Sequence, residues 1–167
     1  GLPDVVGIMN KRREIIRYNK KGYELLEKTP EEVKGNKCYQ LLGRDTECEQ
    51  CATRKALNSK KIETIEKYVP ELGVYVKATS NPILDSDGHI KYIVEQLQDI
   101  TNRKEAEKEL QNIKERLQMA IEGADLGTWD WNIQTGAIKF NRRWARMLGY
   151  SPEEIEPDYT TWEKLVH

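Results

Sequence analysis

The sequence predicts an α+β fold: a five-stranded antiparallel sheet with helices on one face, followed by a long linker helix and the opening part of a second unit of the same kind. Three observations carry this. Short runs of alternating apolar residues open the chain and return after a helix-rich stretch. A charged segment from about residue 102 to 123 then carries apolar residues at helical spacing. Finally, residue 18 laid on residue 140 starts an ungapped correspondence at an offset of 122.

In chain order, 5–10 is an apolar run, 11–13 a polar turn and 14–19 a second strand with Ile16 and Tyr18 alternating, together a hairpin. A helix carrying Tyr23, Leu25 and Leu26 follows. Thr29-Pro30-Glu31-Glu32 is a helix start: a capping hydroxyl, proline at the first helical position and carboxylates in the positive first turn, with Val33 inward. A cysteine-bearing segment leads into a short helix over 53–58. Three strands close the unit, at 62–69, 74–82 and 89–97, the last two joined through Asp85-Ser86-Asp87-Gly88. The predicted divisions are 1–101, a linker helix over 102–123, and 124–167 as the N-terminal part of a second unit.

The linker places Ala106, Leu110, Ile113, Leu117 and Ala120 four, three, four and three apart, a heptad seam. Its length, roughly 30 Å at 1.5 Å per residue, suits a rod between domains. Lys104 with Glu107 and Glu105 with Lys108 support an exposed outer face. An apolar stripe on a single helix asks for a partner, so a parallel homodimer is expected. Trp129, Trp131, Phe140 and Leu148 belong to a unit cut before its last strands, and add uncovered apolar surface; Trp129 and Trp131 otherwise read as core on one strand face.

Composition removes several function classes. Twenty-seven basic against 28 acidic residues leave a formal charge of −1, which gives neither nucleic acid nor an anionic membrane an electrostatic footprint. There is no apolar run long enough to span a bilayer and no signal-peptide pattern at the start, so a soluble chain is expected. Three cysteines, an odd number, point to a reducing, cytoplasmic compartment. The two histidines, His89 and His167, fall in a turn and at the end, and no nucleophile stands beside a partnered base, so the chain does not read as an enzyme.

The correspondence at 122 pairs Asn10 with Asn132, Ile16 with Ile138, Tyr18 with Phe140, Asn19 with Asn141, and Thr29-Pro30-Glu31-Glu32-Val33 with Ser151-Pro152-Glu153-Glu154-Ile155. The stretches IIRYNKKGYELLEKTPEEVKG and PILDSDGHIKYIVEQLQDIT, with GTWDWNIQTGAIKFNRRWARMLGYSPEEI in the second unit, resemble the PAS domain family. The resemblance implies a PAS-like fold and a sensory input module, in tandem copies resembling the input region of a prokaryotic sensor histidine kinase. It implies signal exit through Asp99, Ile100 and Thr101 into the helix, towards a downstream kinase or other output domain. The other function class is a structural dimerisation domain without a ligand.

Cys38, Cys48 and Cys51 form a Cys-x9-Cys-x2-Cys pattern. It is open to redox pairing, to zinc or another metal, for which a fourth ligand is wanting, or to inert packing. Cys48 and Cys51 are expected close together, because a CxxC across a helix start brings both sulfurs to one side. Gly35-Asn36-Lys37-Cys38 resembles the flavin-linking segment of light-sensing PAS domains, but Tyr39-Gln40-Leu41-Leu42 lacks that family's polar flavin contacts, and flavin is not expected. Nor is haem, since 51–58 contains no histidine. A small-molecule ligand would sit between the helices and the concave sheet face, with Tyr68, Tyr75 and Lys77 as candidate polar contacts.

Overall fold

A computed structural model describes residues 4–156 together with 160, 161 and 163; His167 lies outside the described residues. The chain divides into two compact units, 1–106 and 107–167.

In the first unit, β1 (Val5–Met9), β2 (Ile15–Tyr18), β3 (Glu63–Val69), β4 (Val74–Leu84) and β5 (Ile90–Asp99) form one antiparallel sheet in the order β2-β1-β5-β4-β3. The last strand in sequence thus lies beside the first, at the centre. Between β2 and β3 run four short helices, α1 (Lys20–Leu26), α2 (Pro30–Val33), α3 (Cys38–Leu41) and α4 (Ala52–Ser59). The β4 strand runs two residues past its expected end. It tolerates Pro82 because β3 pairs with it only as far as Ser80, so the missing N–H faces no neighbouring strand.

The local signals work as their chemistry requires. Thr29 and Glu32 make a reciprocal capping box at the start of α2, and Val33 is fully buried. Asn19 caps α1: its side-chain oxygen accepts from the Gly22 N–H at 3.0 Å and the Val6 N–H at 3.1 Å, while its amide donates to the Asp4 carbonyl at 3.0 Å. A methyl group on Gly22 would fall 2.6 Å from Tyr18, which is why this helix lies so close against the ring. Met9, Ile15, Tyr18, Val33 and Ile93 form the core beneath.

Helix α5 (Thr101–Gly123) leaves β5 after one residue. None of its residues is buried; Leu110, Ile113 and Leu117 are more than half exposed, as is Met119, which lies off the seam. In the second unit, β6 (Trp129–Trp131) and β7 (Ile138–Phe140) form a hairpin followed by α6 (Arg142–Met147) and a 3₁₀ turn, Pro152–Glu154. Asn141 accepts from the N–H groups of Trp144 at 2.9 Å and Thr128 at 3.0 Å and donates to the Leu126 carbonyl at 2.8 Å, the bonds of Asn19 displaced by 122 residues. Ser151 and Glu154 repeat the capping box of Thr29 and Glu32 at the same offset. Ile138 and Ala145 are buried, and Phe140 stacks on Trp144 at 4.0 Å. Trp129 and Trp131 are not core: they are 52% and 39% exposed, because among the described residues of this unit the sheet has only two strands.

Candidate functional site

Strict alternation sorts the sheet into two faces with different roles. On the inner face, Ile65, Lys67 and Val69 of β3, Val76, Ala78 and Ser80 of β4, and Ile93, Glu95 and Leu97 of β5 turn towards the helices. Of these, Lys67, Val69, Val76, Ala78, Glu95 and Leu97 border a cavity of about 80 Å³, closed from the other side by Leu25, Leu26, Tyr39, Leu42 and the loop that leads into α4.

Most of the wall is apolar, and the polar groups fall into three sets. The deepest is Glu95, backed by Thr53 and Ser80, all buried: Thr53 Oγ1 donates to Glu95 Oε1 at 2.9 Å and lies 3.0 Å from Ser80 Oγ. Burial pushes this carboxyl above its usual range, opposed by the Thr53 bond, the Lys67 charge and the Ser80 hydroxyl.

The second set is the thiols. Cys38, Cys48 and Cys51 all border the cavity, and all are free. Cys38 keeps some exposed surface as a residue, yet its surroundings are dense enough that burial, then Glu95, pushes its thiol up to about 12. Cys48 Sγ accepts from the Arg44 guanidinium at 3.2 Å, and Cys51 caps α4 by accepting from the Arg54 N–H at 3.4 Å. Both cysteines of the CxxC precede α4, Cys51 as its N-cap and Cys48 in the loop before it, and the three sulfurs do not gather within 4.8 Å of one another as a ligand set.

The third set is cationic. Arg13 pairs with Glu47, which also meets Arg54 at 3.4 Å, and Arg44 forks onto Glu71 at 2.5 and 2.6 Å, holding that carboxyl at about 2. These pairs fasten the loop over the cavity. Lys67 points inward from β3 and donates to the Gln50 carbonyl at 3.4 Å.

Tyr68, Tyr75 and Lys77 do not line the cavity. They stand one residue out of phase with its walls, on the outer face, where Tyr68 and Tyr75 meet across β3 and β4 with ring centroids 5.0 Å apart. The residues that take that place, Lys67 and Glu95, have a sequence signal only in retrospect. Lys67 lies between Ile65 and Val69, and Glu95 between Ile93 and Leu97, each a charge at an inward register position.

The outer face holds the first turn of α5. Asp99 Oδ1 accepts from the Thr101 N–H at 2.8 Å, Thr101 Oγ1 from the Tyr75 N–H at 3.0 Å, and the Tyr75 carbonyl from the Ile100 N–H at 2.9 Å. Ile100 is buried, and Glu66 on β3 pairs with Arg103 at 2.7 Å and Lys104 at 2.8 Å.

Comparison with known proteins places this architecture. A model of the PAS domain family matches residues 3–102. The chain is 44% identical over 50 residues, 30% of its length, to hybrid signal transduction histidine kinase A of Dictyostelium discoideum. It is 27% identical over 81 residues, 48% of its length, to the probable diguanylate cyclase DgcE of Escherichia coli K12. These matches span 2% and 7% of the two relatives. Among solved structures, an RNA-binding light-oxygen-voltage receptor superposes with a TM-score of 0.54 at 18% identity, over 67% of this chain and 34% of that one, a likeness of fold. No helix of the described residues is long and apolar enough to cross a membrane. With its central β5, its helices on the inner face and its strand-to-helix exit, the chain belongs to the PAS domain family and is a signal-transduction input module.

Proposed function

We propose that this PAS domain senses a small molecule or a redox state at the cavity bordered by Glu95, Lys67 and the three thiols, and passes it through Asp99, Ile100 and Thr101 into α5. One observation carries the reading: on each of three strands, residues one or two apart serve the cavity and the helix. Lys67 borders the cavity and Glu66 pairs with Arg103 and Lys104; Val76 borders the cavity and Tyr75 binds Thr101; Leu97 borders the cavity and Asp99 caps the helix. A strand that tilts or shifts register to fit an occupant moves the groups that hold α5, and a hydrogen-bonded exit has discrete alternatives rather than a continuum.

The chain itself is non-enzymatic in this reading. Residues 124–167 begin a second PAS unit, supported by the repeated asparagine caps, and α5 joins the two as a parallel homodimer along Ala106, Leu110, Ile113, Leu117 and Ala120. The output domain is a histidine kinase or, following the second relative, a nucleotide cyclase. Three free thiols fit a cytoplasmic setting.

Native mass spectrometry of the purified chain, compared with the denatured mass, tests the cavity. A retained small molecule, or a mass about 2 Da lower that returns on thiol reduction, supports sensing. An empty chain whose α5 hydrogen exchange is indifferent to metabolite extract and to oxidant leaves only a structural dimerisation domain.

A further inference from the structure

Three cations border the cavity, and their partners differ. Arg13 is matched by Glu47 and Arg44 by Glu71. Lys67 has no carboxylate within ion-pair distance among the described residues; its hydrogen bond is to the Gln50 carbonyl. It stands at an inward position on β3, half-buried, with Val69 beside it on its own strand and Val76 opposite on β4. Its charge acts on both Glu95 and Cys38 across the cavity. Yet Glu95 accepts from Thr53, and burial favours its neutral form. A lysine projecting into a largely apolar enclosure is held there at the cost of part of its hydration, and an anion that enters the enclosure offsets that cost.

We propose that the cavity recognises a small aliphatic monocarboxylate, whose carboxylate pairs with the Lys67 ammonium while its chain lies among Leu25, Val69, Leu72, Val76 and Leu97. This rests on the reading of the cavity as a ligand site. Size sets the class: 80 Å³ at roughly 10–15 Å³ for each water-sized group admits about five to eight non-hydrogen atoms. Charge sets it further. A dicarboxylate would carry its second charge into apolar wall without a cation, because both arginines are already matched. An amine would face Lys67 itself.

The experiment titrates the full chain with pentanoate and with pentanamide, which have the same number of non-hydrogen atoms, following cavity amides by two-dimensional NMR. Pentanoate is expected to saturate and to bind at least about tenfold more tightly than the amide, the range of one charge-assisted hydrogen bond. Lys67→Arg keeps that preference. Lys67→Met abolishes it while still binding pentanamide, which shows that the variant is folded and the cavity intact. Equal binding of acid and amide, or a preference that survives Lys67→Met, overturns the carboxylate assignment and leaves the cavity as a site for a neutral ligand. If neither compound moves any cavity resonance, the ligand reading of the cavity falls along with it.

Discussion

Replacing Glu95 by glutamine should remove a pH dependence from the stability of the first unit, with a sign set by the burial of that carboxyl. In the folded state burial holds this carboxyl above its ordinary 4.5. Between the unfolded and the folded pKa the native chain therefore binds the proton and the unfolded chain does not. Since stability changes with pH as the protons bound unfolded minus those bound folded, it must fall as pH rises through that window and level off above the folded pKa. One proton gives a limiting slope of about −1.4 kcal/mol per pH unit. The Glu95→Gln side chain keeps an oxygen to accept from Thr53 and does not titrate. The wild-type minus variant difference should therefore decline from about pH 4.5 upwards and then flatten, and the flattening point reads out the native pKa. All four tryptophans lie beyond residue 106, so their fluorescence follows the second unit. Urea unfolding should instead be followed through the Ile93 methyl resonances at half-unit pH steps. A difference that is flat, or that rises with pH, would refute the raised carboxyl.

Other outcomes follow from the same geometry. With its thiol raised to about 12, Cys38 is only about one part in ten thousand thiolate at pH 8. Iodoacetamide should therefore leave Cys38 unmodified in the folded chain and alkylate it in urea, as peptide mass spectrometry would show; rapid native modification would contradict the burial. Thr101→Val removes the acceptor of the Tyr75 N–H, a net loss of about 1 kcal/mol. Amide exchange should accelerate about fivefold at Tyr75 and across the first turn of α5, with protection at Ile93 unchanged. Leu110→Glu together with Leu117→Glu puts charge on the seam and should give a monomer in sedimentation at micromolar concentration; a dimer that survives both changes would place its contact elsewhere.

Much of the fold was legible because the signals are local. The Thr29 helix start and the Asp85 turn rest on residues within a few positions of one another. The site was legible only in part, since it depends on which parity of each strand faces the helices. For β3 and β4 the pattern misleads: Tyr68 and Tyr75 look like pocket residues by chemistry, yet Ile65, Val69, Val76 and Ala78 fix the inward phase and turn both tyrosines out. A one-residue error exchanges the cavity for the relay face. The Glu95–Thr53–Ser80 cluster was out of reach for another reason. Thr53 lies 27 residues from Ser80 and 42 from Glu95, on α4, β4 and β5, and only the packed fold brings them together.

The correspondence at 122 residues separates what builds the fold from what fills it. Asn19 and Asn141 make matching bonds, as do the capping boxes at Thr29 and Ser151, because those side chains set the direction of the backbone and few other residue types make the same set of bonds. At the same offset the residues bordering the first unit's cavity change character. Tyr18 becomes Phe140, Leu25 becomes Met147, and Cys38 becomes Thr160. At Gly22, the glycine that lets α1 lie against the Tyr18 ring, the counterpart is Trp144, whose indole stacks on Phe140. In the first unit the Tyr18 side chain itself takes that place, 2.6 Å from where a Cβ on Gly22 would stand. The thiol trio and the hydroxyl of Tyr18 thus belong to what the first unit holds, whereas the asparagine caps and the hairpin belong to the frame. A variant that changes the frame should cost stability; one that changes Lys67 or Cys38 should alter what is sensed and leave the fold standing.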